Sequence, residues 1–209
     1  MKGKLETIGL CVGWFALIMQ FFLMFQNRQT AIPEMIIRFF SFFTILTNIL
    51  VALYFTASAF KLKIVPFKWF FSKGTLTAIT AFILIVGLVY QIALRGVWQP
   101  TGLQYIVDEL LHSIIPLYVF IYWYFNVSKN DLQIKPIFRW LLYPVLFIIF
   151  ILVRGYFSGF YPYPFLDVLK IGYEKTFLNI GFIFITTLTM LTILLLVGKT
   201  IIKKQTKTQ

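Results

Sequence analysis

The chain of 209 residues contains a single histidine, and the position of that histidine makes it a candidate for chemistry. His112 lies in the segment Asp108 to Pro116, which leads into a strongly apolar run. An ionisable side chain inside a membrane span is by default a candidate functional residue. The alternative is a neutral imidazole that donates to a backbone carbonyl and only packs helices, and both interpretations stay open.

Two carboxylates precede this histidine on the same face of a helix. Asp108 and Glu109 stand four and three residues before His112, a spacing at which helical side chains are neighbours. Either carboxylate is therefore a candidate to orient the imidazole ring. Both also stand near the expected outer boundary of the span, where the alternative is a simply solvated carboxylate.

A second group of polar residues recurs at helical spacing in an apolar run. Arg38, Ser41, Thr44 and Asn48 are separated by three, three and four residues, which places all four on one stripe of a continuous helix. A polar stripe avoids lipid, so we expect it to face the bundle interior or a wet cavity. Hydrogen bonds between helices would satisfy it equally well.

Depth connects the stripe to the histidine. Thr44 and His112 stand in two spans that enter from the same side, at depths of roughly 14 and 9 Å, counted at about 1.5 Å per residue. This difference is within the error of the span boundaries, so hydroxyl and imidazole are predicted to meet. A histidine base can activate a hydroxyl nucleophile, which would attack an ester carbonyl and form an acyl-enzyme that water resolves. Asn48, Ser41 and Arg38 are then candidates to stabilise the oxyanion or bind substrate.

The elements that must position these residues are membrane helices. Hydrophobic residues make up 60% of the chain and charged residues 12%, and the mean hydropathy is +0.86, whereas soluble domains carry about 25% charged residues. This composition excludes a soluble globular protein, and with it a nucleic-acid binder, despite a net charge of +12. We predict an all-α polytopic membrane protein, a single domain over residues 1–209 with six spans, approximately 7–25, 35–60, 75–94, 106–125, 137–153 and 176–197.

The basic residues predict the orientation. With the N-terminus inside, the inner segments hold 13 Lys and Arg against 2 acidic residues, and the outer segments hold 6 against 5. An excess of Lys and Arg marks the cytoplasmic side. Both termini are therefore expected in the cytoplasm, and we expect a cell-membrane protein of the bacterial inner-membrane type, in contact with lipid.

The sequence predicts neither a metal site nor a cofactor. Metal sites need clusters of His, Cys or carboxylates, and the chain has one histidine and one cysteine, Cys11 within the first span. The composition gives no oligomeric state.

The outer connection from Arg154 to Lys175 is rich in aromatic residues. Such residues settle at the membrane interface, so an ordinary aromatic belt is one interpretation. A cover over the entrance to the Thr44 and His112 cavity is the other. The aromatic residues are Tyr156, Phe157, Phe160, Tyr161, Tyr163, Phe165 and Tyr173.

Three segments together resemble one known family. The run from Phe42 to Leu46, the run from Leu111 to Pro116, and the stretch from Gly159 to Leu166 resemble segments of the androgen-induced and androgen-dependent TFPI-regulating protein family. These are multi-pass membrane hydrolases that use a Thr and a His on fatty acid esters of hydroxy fatty acids. The resemblance implies that Thr44 is the nucleophile and His112 the base.

The match departs from the family pattern at one point. The amide or acid that the family places three residues after the nucleophile is Thr47 here, with Asn48 one residue later. Two other functions remain alternatives to the lipid ester hydrolase. They are a small membrane transporter and a non-catalytic membrane scaffold whose polar stripe only joins helices.

Overall fold

The computed structural model describes residues 2–207, and over that range the chain is helical, with no β-strand. The predicted all-α architecture is therefore confirmed. Short 3-10 turns occur in three connections, at Phe67–Phe71, Lys129–Leu132 and Pro164–Leu166. The described α-helices are α1 Lys2–Gln26, α2 Ile32–Phe39, α3 Phe43–Ala59, α4 Thr75–Val89, α5 Gly102–Glu109, α6 Ile115–Asn126, α7 Ile134–Trp140, α8 Leu142–Ser158 and α9 Val168–Lys207.

Five of the helical stretches described are long and apolar enough to cross a membrane. The count reaches six only when α2 and α3 are taken together as one broken span. The five stretches are Lys2–Gln26, Thr75–Leu94, Gly102–Asn126, Ile134–Ser158 and Val168–Thr206.

The expected continuous helix over 35–60 is wrong, because the chain bends by 69° between α2 and α3. Phe42 adopts an extended backbone conformation and α3 starts anew at Phe43. No Pro or Gly lies at the break. Instead the Ser41 hydroxyl donates to the Ile37 carbonyl at 2.6 Å, a type of side-chain bond to the preceding turn that often bends helices. Of the four polar residues of the predicted stripe, Arg38 thus lies on α2, Ser41 lies in the break, and Thr44 and Asn48 lie on α3.

Small residues allow the helices that carry the site to pack closely. On α1, Gly9 lies against the Phe55 ring, and a Cβ at Gly13 would lie 3.2 Å from the Cβ of Ala52 on α3. The central helix α4 is buried over most of its length, between α3, α6 and α9. The core of the bundle therefore fixes α3, α4 and α6 relative to one another.

Candidate active site

Thr44 lies in the first turn of α3, directly after the break. Its side chain is buried, and its hydroxyl oxygen lies 3.3 Å from Nε2 of His112. The structure thus brings together the two side chains that the sequence placed at similar depth. Because α3 begins at Phe43, the Thr44 hydroxyl lies at a helix N-terminus inside the bundle, a location that a continuous helix would not provide.

The partners of His112 determine which ring nitrogen can act as a base. Nδ1 lies 2.9 Å from the carbonyl oxygen of Asp108 and 3.3 Å from Oδ1 of the same residue. A carbonyl oxygen only accepts hydrogen bonds, so Nδ1 must carry the proton. In the neutral ring, Nε2 then presents its lone pair to the Thr44 hydroxyl. This is the tautomer that a general base for Thr44 requires.

His112 stands in a π-helical turn, Leu110–Ile114, between α5 and α6. A second π-helical turn, Tyr90–Leu94, ends α4. The rings of Tyr90 and His112 stack, with centroids 4.2 Å apart and planes inclined by 14°. Such turns are rare and occur frequently at functional sites. Here the two turns face each other and orient the imidazole.

The two carboxylates before His112 have different partners. Asp108 is buried and contacts the ring through both its backbone oxygen and its carboxylate. Glu109 instead forms an ion pair with Arg95 and accepts a hydrogen bond from Ser113 at 2.6 Å. Only Asp108 is therefore placed to orient the imidazole.

The three candidates for oxyanion stabilisation are engaged elsewhere. The amide nitrogen of Asn48 donates to the carbonyl oxygens of Thr44, at 2.8 Å, and Leu111, at 3.3 Å. Ser41 donates to the preceding turn of α2. Arg38 pairs with Glu34 at 2.7 Å. Asn48 therefore joins α3 to the turn that carries His112, whereas Arg38 lies on α2 and Ser41 in the break that follows it.

Arg38 is part of an ion-pair cluster that it forms with Glu34 of α2 and Arg154 of α8. Oε1 of Glu34 accepts from Arg38 and from Arg154 of α8, both at 2.7 Å. Both guanidinium groups also lie over the Phe160 ring, 4.3 and 4.7 Å from its centroid. The cluster thereby ties α2 and α8 to the connection between α8 and α9.

That connection places a further hydroxyl beside Thr44. The Tyr163 hydroxyl accepts from the Thr44 backbone N–H at 3.3 Å and lies 3.5 Å from Oγ1 of Thr44. The first N–H groups of a helix have no partner within the helix, and the Phe42 side chain does not cap this one. Tyr163 therefore satisfies a buried backbone donor at the start of α3.

The connection is fixed at several points. The Tyr161 ring lies directly against Gly155 of α8, where a Cβ would collide with it. Asn179 of α9 donates to the Phe165 carbonyl at 3.0 Å. The Phe165 ring stacks on Tyr163, with centroids 5.1 Å apart and planes inclined by 9°. The stretch predicted as either a cover or an aromatic belt thus contributes a side chain to the site.

An apolar cavity of about 230 Å³ adjoins Thr44. Its polar lining residues are Thr44, Tyr163 and Thr187, and the Thr187 hydroxyl is engaged with the Ile183 carbonyl of its own helix. The remaining walls come from apolar side chains of α3, α4, the π-helical turn after α4, α8, α9 and the connection. His112 does not line the cavity and lies behind Thr44. The cavity has the chemistry of a hydrocarbon-binding site.

Two residues of the site escaped prediction. The sequence marks Tyr163 as an interfacial aromatic and as part of the Gly159 to Leu166 stretch that carries the family resemblance, but it gives Tyr163 no role in the site, and nothing in it singles out Tyr90. Neither stands at helical spacing from a polar residue of the site, so spacing alone gives neither of them a role. Among residues 2–207 no group of three or more His, Cys, Asp or Glu could hold a metal ion.

Comparison of the chain with known protein families, with curated proteins and with solved structures finds no match.

Proposed function

We propose that this chain is an intramembrane lipid ester hydrolase in which Thr44 is the nucleophile and His112 the general base. The observation that carries the proposal is the 3.3 Å contact between Oγ1 of Thr44 and Nε2 of His112, formed at the wall of an apolar cavity. The resemblance of the segments around Thr44 and His112 to the androgen-induced hydrolase family supports the same assignment.

The reaction proceeds in two halves. Nε2 of His112 takes the proton of the Thr44 hydroxyl as Oγ1 bonds to the ester carbonyl carbon, and the carbonyl oxygen becomes an oxyanion. When the tetrahedral intermediate collapses, the bond to the alcohol breaks and the departing oxygen receives the proton from His112. Water, deprotonated by His112, then attacks the acyl-threonine, and the carboxylic acid leaves as the threonine oxygen regains its proton.

The surroundings of the pair support this chemistry. The Asp108 carboxylate lies 3.3 Å from Nδ1, so it stabilises the imidazolium that forms in each half of the reaction. The cavity excludes water from the acyl chain and favours long-chain fatty acyl groups over short ones. Membrane lipids or lipid-like esters are the substrate class that this geometry favours.

Hydrolysis by purified protein tests the proposal. We expect release of free acid from long-chain p-nitrophenyl esters, and we expect Thr44→Ala to lower kcat by about three orders of magnitude or more. His112→Ala should lower it by about 10²- to 10⁴-fold. Thr186→Ala is the matched control, because that hydroxyl bonds only to its own helix. Full activity in the Thr44 and His112 variants would exclude the pair.

Covalent labelling provides a second readout that needs no knowledge of the natural ester. A fluorophosphonate probe should label the native chain and fail to label Thr44→Ala. Equal labelling of both proteins would place the reactive hydroxyl elsewhere.

A transporter is the second candidate function, favoured by one observation. Transporters often bind substrate at broken helices, and α2 and α3 form a broken pair with the α3 N-terminus inside the bundle. Uptake of solutes by protein-containing liposomes, unchanged in Thr44→Ala, would support this candidate against the hydrolase.

We also propose that both termini face the cytoplasm of a cell, with the bacterial inner membrane as the site. The excess of Lys and Arg in the segments around the termini supports this orientation. In a Cys11→Ser background, a cysteine introduced at Lys199 should resist an impermeant thiol reagent in whole cells, and one at Phe157 should react.

A further inference from the structure

We propose that Tyr163 is a catalytic residue whose hydroxyl, together with the backbone N–H of Thr44, forms the oxyanion hole. This inference rests on the proposed hydrolase function and extends it to a residue from the connection between α8 and α9. Tyr163 stands 119 residues from Thr44 in the sequence and within 3.5 Å of it in space.

The proposed reaction requires hydrogen-bond donors at this point. The carbonyl oxygen acquires a full negative charge when Oγ1 of Thr44 attacks, and the adjoining cavity is apolar. In surroundings of low dielectric, donors aimed at such a charge usually supply the largest single contribution to catalysis. Asn48, Ser41 and Arg38 donate to other groups, so the hole must be built from different donors.

Tyr163 and Thr44 supply those donors on the cavity side of the nucleophile. Both residues line the cavity. The Tyr163 oxygen accepts from the Thr44 N–H over a long 3.3 Å contact, which leaves the phenolic proton free to donate. A substrate carbonyl oxygen that enters between the two groups can accept from both at once. Catalytic hydrogen bonds are often long without substrate and shorten when it binds.

The N-terminus of α3 adds to the stabilisation of negative charge in the proposed oxyanion hole. The N–H of Thr44 belongs to the first turn of the 17-residue helix α3, where the helix dipole is positive. The 69° break after α2 is what brings this end into the bundle. The backbone therefore stabilises a developing anion at the point that the Tyr163 hydroxyl faces.

Packing holds the Tyr163 ring in place before substrate arrives. The side chain is buried, stacked on Phe165 and packed edge-on against Phe42 with centroids 5.9 Å apart. A donor that is already oriented needs no reorganisation at the moment of reaction. Tyr163 keeps its proton throughout and only donates a hydrogen bond, so the balance of the reaction is unchanged.

Tyr163→Phe is the decisive variant, because it removes one oxygen and keeps the ring. We expect kcat for long-chain p-nitrophenyl esters to fall about 10²- to 10³-fold, with KM changed by less than about twofold. Tyr161→Phe is the matched control, from the same connection, and should retain native rates. Native kcat in Tyr163→Phe would overturn the inference.

A ratio of rates separates catalysis from a purely structural cap. A thionoester presents sulfur, a poor hydrogen-bond acceptor, where the ester presents oxygen, so an oxyanion hole favours the ester. We expect the ratio of ester to thionoester rates to be high in the native protein and to fall at least about tenfold in Tyr163→Phe. A loss of folded protein lowers both rates equally, so an unchanged ratio would assign Tyr163 a structural role only.

The two proposals fail in different ways. If the native protein neither hydrolyses esters nor reacts with the fluorophosphonate, the hydrolase function is wrong and this inference falls with it. If the native protein is active and Thr44→Ala is not, while Tyr163→Phe keeps both the native rate and the native ratio, then only the oxyanion assignment is wrong.

Discussion

The imidazole of His112 lies flat against the phenol ring of Tyr90, with centroids 4.2 Å apart. The two residues come from facing π-helical turns at the end of α4 and at the start of α6. The face of the imidazole is therefore covered while its two nitrogens point to Asp108 and Thr44. Ring orientation in this site is set by stacking as well as by hydrogen bonds.

Replacing the stacking partner should lower activity without removing it. An aromatic pair contributes about 0.5 to 1.5 kcal/mol beyond burial, so Tyr90→Leu is expected to reduce kcat about 2- to 10-fold. Tyr90→Phe keeps the ring and removes only the hydroxyl, which interacts with Asp108, so the difference in kcat between the Leu and Phe variants measures the contribution of stacking. Ester hydrolysis by the purified variants measures both, and equal rates for Leu and Phe would contradict a role for stacking.

The carboxylate beside the imidazole should matter more than its neighbour in sequence. Asp108→Asn removes the charge near Nδ1, and since a charged hydrogen bond contributes about 1.5 to 3 kcal/mol, we expect kcat to fall about 10- to 100-fold. The backbone carbonyl of the same residue still fixes the tautomer. Glu109→Gln is the control and should stay near native, because Glu109 faces Arg95 and Ser113. The reverse order of effects would reassign the orienting group.

Filling the cavity should change which esters are accepted. Ile183 of α9 lines the cavity. We expect Ile183→Trp to lower the hydrolysis rate of long-chain esters at least about tenfold more than that of short-chain esters. The packed neighbours cannot move aside, so the larger side chain occupies the cavity. Ile185→Trp, at a position 64% exposed on the same helix, is the control. Hydrolysis rates measured for esters of increasing acyl-chain length test this prediction. An equal change in the rates for all chain lengths would show that the cavity does not bind the acyl chain.

A side chain at Gly87 should displace the histidine turn. A Cβ there would lie 3.0 Å from the His112 carbonyl oxygen, and overpacking of this kind costs about 1 to 3 kcal/mol. We therefore expect Gly87→Val to lower both thermal stability in detergent and esterase activity. Gly181→Val is the control, since no atom lies within 4 Å of a Cβ at that position. If the Gly87→Val protein were as thermally stable as the native protein, α4 and α6 would be able to move apart with no loss of stability.

The sequence predicted the meeting of Thr44 and His112 because depth in a membrane follows from counting residues along apolar runs. Both residues interrupt such runs, and both spans enter from the same side in the predicted topology. The count to Thr44 runs through α2 and the 69° break, so the depth of roughly 14 Å assumed a helix that is not continuous, yet Thr44 still meets His112. Composition and spacing thus predicted that the two residues meet, and the family resemblance implied their roles as nucleophile and base.

The break between α2 and α3 could not be predicted from residue spacing. Arg38, Ser41 and Asn48 fit a continuous helix by spacing, and no Pro or Gly marks the bend. At the bend, the Ser41 hydroxyl bonds to the preceding turn, and the Tyr163 hydroxyl accepts from the buried N–H of Thr44, which has no partner within α3. Tyr163 stands 119 residues from Thr44 in the sequence, so only the tertiary structure reveals this contact.

The two π-helical turns also restrict how the length of the chain can change. Each turn accommodates one residue more than an α-helix would need for the same path, so it behaves as a local insertion. Deleting Leu110 would restore a regular α-helix along the same path, leave α5 and α6 in their present relative orientation, and shorten the spacing of Asp108 and His112 from four residues to three. The contact between Nδ1 of His112 and the Asp108 carbonyl, which spans four residues, would then be lost while the bundle kept its fold. Homologous chains that lack the extra residue should therefore keep the architecture and lose the contact between Asp108 and His112.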